Sequence, residues 1–148
     1  MNEGKAMLNN YLQECLYFTA NRLSRVMTKM AEDEFAVSGL SPTSAFLLMA
    51  VYEKDGISQK ELGELLHLQP STMTRLIEKL IIKGLLTSRI DGRLSLISAT
   101  EKGKALEGTI HECWMSLRKR YTTLLGEKEG DELSLHLFTV SDRLENKE

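Results

Sequence analysis

The stretch best suited to chemistry in this chain is Gln69-Pro70-Ser71-Thr72-Met73-Thr74-Arg75-Leu76-Ile77-Glu78-Lys79-Leu80. Wound as a helix, it gathers Met73, Leu76, Ile77 and Leu80 on one apolar face. Ser71, Arg75, Lys79 and Ile82 lie opposite, with Thr72 and Thr74 on the shoulders. Hydroxyls give and take single hydrogen bonds, and a guanidinium gives two in parallel, which is the chemistry that reads base edges in a duplex groove. Bond-breaking chemistry is not expected. The sequence has no Walker loop, no Gly-x-Ser-x-Gly elbow and no His-Glu-x-x-His pair. His67, His111 and His136 are scattered, and Cys15 and Cys113 have no CxxC partner, so no zinc site, cofactor or enzymatic activity is expected.

A groove-reading helix must be held at a fixed angle, and its neighbours in sequence suit that task. Ser58 with Glu61 three residues later is a capping-box pattern, which opens a short helix ending near His67. Gln69-Pro70 starts the second helix and Gly84 signals its end. Leu86-Thr87-Ser88-Arg89-Ile90 and Arg93-Leu94-Ser95-Leu96-Ile97-Ser98 then flank Asp91-Gly92, a two-residue hairpin signal. Helix, tight turn, helix and hairpin together predict a winged helix-turn-helix, whose second helix enters the major groove. Candidate contacts are Ser58, Gln59 and Lys60 on the first helix, Gln69, Ser71, Thr72, Thr74, Arg75 and Lys79 on the second, and Arg89 in the wing.

Charge supports that reading once it is divided. The chain of 148 residues carries a net charge of −2, but residues 58–104 hold eight Lys or Arg against five acids, a local +3 that leaves −5 elsewhere. A basic lobe on an acidic body is what phosphate binding by one face requires. Length fits one domain, and 42% hydrophobic and 27% charged residues fit a globular protein. No run of about 18 apolar residues suggests a membrane span. Met1-Asn2-Glu3-Gly4-Lys5 does not lead into an apolar segment of secretory type. Two distant cysteines imply no disulfide framework, and the cytoplasm is the expected compartment.

The remaining chain reads as helix. Leu8, Leu12, Cys15, Leu16, Thr19, Leu23, Val26 and Met30 form one stripe of a long first helix, flanked by Tyr11 and Phe18. Ser41-Pro42 opens another helix through about Glu53. A long helix is expected from Thr100 to about Leu125, and a last one from about Glu127 to Glu145. In the last, Leu133, Leu137, Val140 and Leu144 repeat at spacings of four, three and four, a heptad-like seam. Terminal helices of this length exceed what a lone winged helix needs, which favours a homodimer with Leu8, Leu12, Leu133, Leu137, Val140 and Leu144 at its interface. The fold class expected is mainly α, with about six helices and a two-stranded wing.

Leu62-Gly63-Glu64-Leu65-Leu66, Ser71 to Leu80, Lys83-Gly84-Leu85-Leu86 and Thr100-Glu101-Lys102-Gly103, in that order, resemble the MarR family of bacterial and archaeal regulators over nearly the whole chain. The resemblance implies a DNA-binding transcription regulator, a homodimer joined by its terminal helices and reading a pseudo-palindrome. A single domain over 1–148 would hold a DNA lobe at 41–103 and a helical dimerisation region at 1–34 and 104–148. It also implies control by a small phenolic or lipophilic ligand, or by oxidation. The wing departs from the family pattern of Asp-Arg-Arg: this chain has Asp91-Gly92-Arg93 on a loop about two residues shorter. In the retained frame, Arg93 would meet the minor groove and Asp91 would orient nearby basic groups.

For the effector, Cys15, Thr19, Arg22 and Met49 combine apolar wall and one cation, suiting a small aromatic acid. The competing reading makes this region solid core. Peroxide sensing through Cys15, with Tyr11 and Tyr17 nearby, is the alternative that the resemblance raises. Alignment on Met27-Thr28-Lys29, however, puts Tyr17 rather than Cys15 at the family's sensor position. A buried Cys15 in the apolar stripe would act only as a small hydrophobe. A winged helix used solely for protein docking is the other alternative.

Overall fold

The computed structural model describes residues 3–146. In chain order it contains α1 (Glu3–Glu14), α2 (Leu16–Phe35), a 3₁₀ turn (Ala36–Ser38), α3 (Pro42–Glu53), β1 (Ile57–Ser58), α4 (Gln59–Leu66) and α5 (Pro70–Ile82). The strands β2 (Leu86–Asp91) and β3 (Leu94–Ala99) follow, then α6 (Glu101–Lys104), α7 (Glu107–Leu125) and α8 (Glu127–Glu145). The mainly α class and the winged helix-turn-helix stand, but among the described residues the α-helices number eight rather than about six.

Two expected helices are each split. The first breaks at Cys15, which takes an extended conformation (φ −95, ψ 112) while its carbonyl accepts the Thr19 N–H at 3.0 Å. No proline or glycine marks this break, so apolar periodicity ran straight through it. The second break falls at Ala105 and Leu106, between α6 and α7. The Tyr52 hydroxyl and the Leu106 N–H (3.2 Å) both donate to the Gly103 carbonyl, and the helix steps there before restarting as α7.

The core lies around α3, which is buried on most sides: Ala45, Leu47, Leu48 and Val51 are inaccessible to solvent. Ser41 caps it by accepting the Ser44 N–H at 3.2 Å, and Pro42 occupies its first turn. Phe35, Leu62, Met73, Leu80, Leu86, Ile97, Ile110 and Cys113 close around it. Of the apolar face expected on α5, Met73, Ile77 and Leu80 are buried and Leu76 is half-buried.

The sheet has three antiparallel strands in the order β1-β3-β2, not two. Ile57 pairs with Ile97 and Ser58 with Leu96. The short β1 thus moors the wing to the start of α4. The hairpin is also shifted: Asp91 pairs with Leu94, so its turn residues are Gly92 and Arg93 rather than Asp91 and Gly92. Gly92 has φ +61 and Arg93 a negative φ, the signs of a type II′ turn, which takes glycine at its first central position.

The two short motifs that follow α5 and precede α7 form one joint. Thr100 Oγ1 donates to the Gly84 carbonyl at 2.6 Å, the Thr100 N–H donates to the Leu85 carbonyl at 3.1 Å, and Lys102 Nζ donates to the Lys83 carbonyl at 3.0 Å. Backbones touch here: a Cβ added at Gly103 would lie 2.1 Å from the Leu85 oxygen. The glycine at 103 is therefore a packing requirement.

Ion pairs hold the helical body. Arg120 bridges α7 to Asp33 (3.2 Å) and Glu34 (3.1 Å) of α2, and Arg118 bridges to Asp131 and Glu127 of α8. Gly130 lies buried against Tyr121 and Thr122, which lets α8 fold back on α7. Among the described residues no single helix is long and apolar enough to cross a membrane.

Candidate nucleic-acid interface

Three elements set the geometry of this face. Ser58 accepts the Glu61 N–H at 3.1 Å and so caps α4, its hydroxyl serving the helix before any ligand. The reciprocal half of the capping box is not made; Glu61 pairs instead with Lys54 at 2.9 Å. Gln59 and Lys60 follow in the first turn, Lys60 exposed.

The turn into α5 is a Schellman closure: the Leu68 N–H donates to the Gly63 carbonyl at 3.0 Å and the His67 N–H to the Glu64 carbonyl at 3.4 Å. His67 sits at the left-handed position (φ 56) that usually selects glycine. Its ring lies edge-on to Phe138, centroids 6.4 Å apart, and Nδ1 is 3.9 Å from Glu145. The helix-turn-helix turn thus touches α8, a contact invisible to local pattern.

On α5, Ser71, Thr74, Arg75 and Lys79 are exposed, and Thr72 is half-buried. Gln69 makes no side-chain cap bond, so the Ser71 and Thr72 N–H groups have no cap partner at the positive end of the helix dipole, Pro70 having no N–H and the Met73 N–H donating to the Gln69 carbonyl. Gln59 Nε2 donates to Thr74 Oγ1 at 2.8 Å, tying α4 to α5 across this face. In the wing, Arg89 and Asp91 are exposed on the face opposite Ile90, while Arg93 sits at the turn. Asp91 forms no ion pair among the described residues, so the orienting role expected for it is not seen within the chain.

Pairing differs among the cations, though not by region alone, since Arg22, Arg25, Lys29, Lys119 and Arg143 of the helical body also lack an ion pair among the described residues. Arg118 and Arg120 are held by carboxylates, which raise their already high pKa values through hydrogen bonding. Lys60, Arg75, Lys79, Arg89 and Arg93 have no ion pair among the described residues. These five lie on α4, α5 and the hairpin. They can neutralise phosphates without first breaking an internal pair.

The other expected sites fare unevenly. Thr19 and Arg22 line a groove of about 480 Å³ between α1 and α2, with Asn9, Leu12, Phe18, Leu23 and Val26. Cys15 and Met49 do not line it. Met49 packs against the core, and Cys15 is exposed rather than buried, as are its helical neighbours Leu16 and Tyr17, because no other element of the chain covers this stretch. Cys113 is buried, which pushes its thiol up. The α8 seam is open to solvent: Leu133 is 39%, Leu137 38% and Leu144 60% exposed, with Val140 half-buried. On α1, Leu8 is 55% exposed and Leu12 half-buried.

Sequence reasoning missed β1, Tyr52 and the αL turn at His67. An apolar residue directly before the cap, Ile57, was the one available signal for β1.

Comparison with known proteins agrees with this geometry. The MarR family profile matches residues 40–92. The HTH-type transcriptional regulator SarZ of Staphylococcus epidermidis is 30% identical over 125 residues, covering 82% of this chain and 84% of that protein. Among solved structures, the transcriptional repressor CouR bound to a 23-mer DNA duplex superposes with a TM-score of 0.80 at 22% identity, covering 88% of this chain and 94% of that one. The PcaV regulator of Streptomyces coelicolor, in complex with its natural ligand, gives 0.79 at 23% identity, covering 88% and 94%. At these identities the structural likenesses carry the fold alone.

Proposed function

The chain belongs to the MarR family of DNA-binding transcription regulators, and from that premise we propose that it is a repressor acting as a homodimer on a pseudo-palindromic operator. The observation that carries this reading is the set of unpaired cations on α4, α5 and the wing, surrounding the hydroxyl face of α5. In it, residues 41–103 form the DNA lobe, and 1–34 with 104–148 form the dimer. A two-fold dimer sets its two α5 helices about one helical turn of DNA apart, roughly 34 Å. An isolated lobe with few phosphate contacts would bind weakly at cellular salt. The open seam on α8 and the apolar residues of α1 supply the surface for pairing, as an interface core requires. Acting on chromosomal DNA, the protein works in the cytoplasm.

Release by a small aromatic acid in the α1–α2 groove completes the reading. Phe18, Leu23 and Val26 offer the apolar wall, and Arg22, free of any ion pair among the described residues, offers the cation. CouR has been solved bound to p-coumaroyl-CoA as well as to DNA, which supports a ligand-controlled regulator on this fold. A ligand that favours the wrong α5 spacing by about 1.4 kcal/mol weakens operator binding about tenfold.

One observation favours a second form of control. Cys15 is exposed in the single chain at the α1–α2 break, within the 1–34 region assigned to the dimer, so its thiol meets oxidants where the partner leaves it uncovered. Band shifts with the intergenic DNA beside the protein's own gene test all three levels. Binding of that DNA over random duplex supports the regulator reading, and a protein-docking role predicts none. Release by an aromatic carboxylate, or by an organic hydroperoxide in wild type but not Cys15→Ser, distinguishes the two controls.

A further inference from the structure

We propose that Thr74 recognises thymine through its methyl group, and that Gln59 is the positioning residue that reserves Thr74 for this task; the inference rests on the DNA-reading role given above to α5. The Thr74 hydroxyl has one proton, and it donates that proton to the Pro70 carbonyl at 3.1 Å. The same oxygen accepts from Gln59 Nε2 at 2.8 Å. With its proton committed, the hydroxyl cannot donate to guanine N7 or O6, nor to thymine O4.

Its neighbours differ. Ser71 and Thr72 make no side-chain hydrogen bond among the described residues, so their hydroxyls remain available for phosphate or base. Thr74 is the hydroxyl of this face that is already engaged.

What Thr74 leaves free is its Cγ2 methyl and one lone pair on Oγ1, which accepts only from adenine N6 or cytosine N4, so the methyl is the group it can offer to thymine. Threonine in a helix divides between two rotamers, and a bond from Oγ1 to the carbonyl one turn back selects one of them. Gln59, reaching over from α4, holds the oxygen in that place. Because Oγ1 and Cγ2 branch from the same carbon, fixing the oxygen fixes the methyl. Thr74 is exposed in the N-terminal half of α5, beside the unpaired Arg75, where a recognition helix meets base edges. Of the four bases, thymine alone presents a methyl in the major groove.

The test begins by letting the full-length protein select its preferred duplex from a random library. Each thymine of that duplex is then replaced in turn by deoxyuridine, which pairs identically and lacks only the methyl. One thymine per half-site should show about a fourfold loss of affinity, the worth of one buried methyl. Thr74→Ser keeps both hydrogen bonds and should abolish that loss. Thr74→Val keeps the methyl and should preserve it, and Gln59→Ala, which removes the donor that pins Oγ1 and leaves the Pro70 bond alone to hold the rotamer, should shrink it. Circular dichroism melts establish that each variant is folded. If no thymine responds, or if Thr74→Ser retains the response, this inference is overturned while operator reading stands. A library yielding no enriched sequence overturns both.

Discussion

The hydroxyl of Tyr52, in the last turn of α3, donates to the carbonyl of Gly103 in α6, joining the central core helix to the point where the wing gives way to the helical body. The tyrosine is half-buried, and desolvation, aided by the charge of Glu107, pushes its pKa up to about 12. The neutral phenol is thus the form the fold stabilises. A group whose pKa is raised on folding gives its full stabilisation below its unfolded value and loses it as pH climbs through the folded one. Stability should therefore fall between pH 10 and about 12. Tyr52→Phe should flatten that part of the melting-temperature profile and cost about 1 kcal/mol at neutral pH, the usual worth of one hydrogen bond.

The same joint makes Gly103 intolerant. A methyl there meets the Leu85 carbonyl oxygen, part of the backbone rather than a movable side chain. Gly103→Ala should destabilise by roughly 3 kcal/mol, at the upper range for overpacking. A urea melt indistinguishable from wild type would show that the α6 backbone yields more easily than its hydrogen bonds suggest.

Arg75 is the unpaired cation in the middle of the α5 outer face. If it reads a base edge, Arg75→Ala should cost about 1–3 kcal/mol of operator affinity and relax preference at one base pair per half-site. Unchanged affinity and preference would remove it from the readout.

At the wing tip, Arg93 should act on DNA of any sequence. Arg93→Ala should weaken specific and random duplex alike and reduce the salt slope by about one unit. Restoring the family's second arginine is a different matter. Gly92 has φ +61, so Gly92→Arg should lower stability by roughly 1–2 kcal/mol, the left-handed penalty for an L side chain. Thermal melts in the absence of DNA isolate that cost from any gain in binding.

Charging the α8 seam should separate the protomers. Leu137→Glu with Val140→Glu would bury two carboxylates between helices, a cost that opposes association. Light scattering should give a monomer that retains its circular dichroism spectrum and loses operator affinity. A dimer that persists would move the interface away from this seam.

Around the α1–α2 groove, aromatic carboxylates should raise the melting temperature of wild type and do so less for Arg22→Ala. Equal stabilisation of both would remove Arg22 from the site.

What the sequence determined by itself was everything encoded over one or two turns of chain. Apolar residues at helical spacing gave α5 and α8, Ser41-Pro42 opened α3, Ser58 capped α4, and the glycine at 92 marked the hairpin. These signals suffice because Met73, Ile77 and Leu80 bury the same face whatever surrounds them. The DNA-facing residues were legible for the same reason: a helix with one apolar face must present the other. Tertiary structure decided whatever depends on residues far apart in sequence. The break at Cys15 carries no proline or glycine, so the stripe ran through it and Cys15 was placed in the core rather than in solvent. The pairing of Ile57 with Ile97 needs two strands to meet, and a two-residue strand has too little periodicity to show alone. The hairpin register moved by one residue because pairing of Asp91 with Leu94 fixes the turn, not the dipeptide's own preference. Likewise the Gln59–Thr74 bond spans two helices. Side-chain type showed that Thr74 could face DNA; only the meeting of α4 with α5 decided which of its two groups remains free to do so.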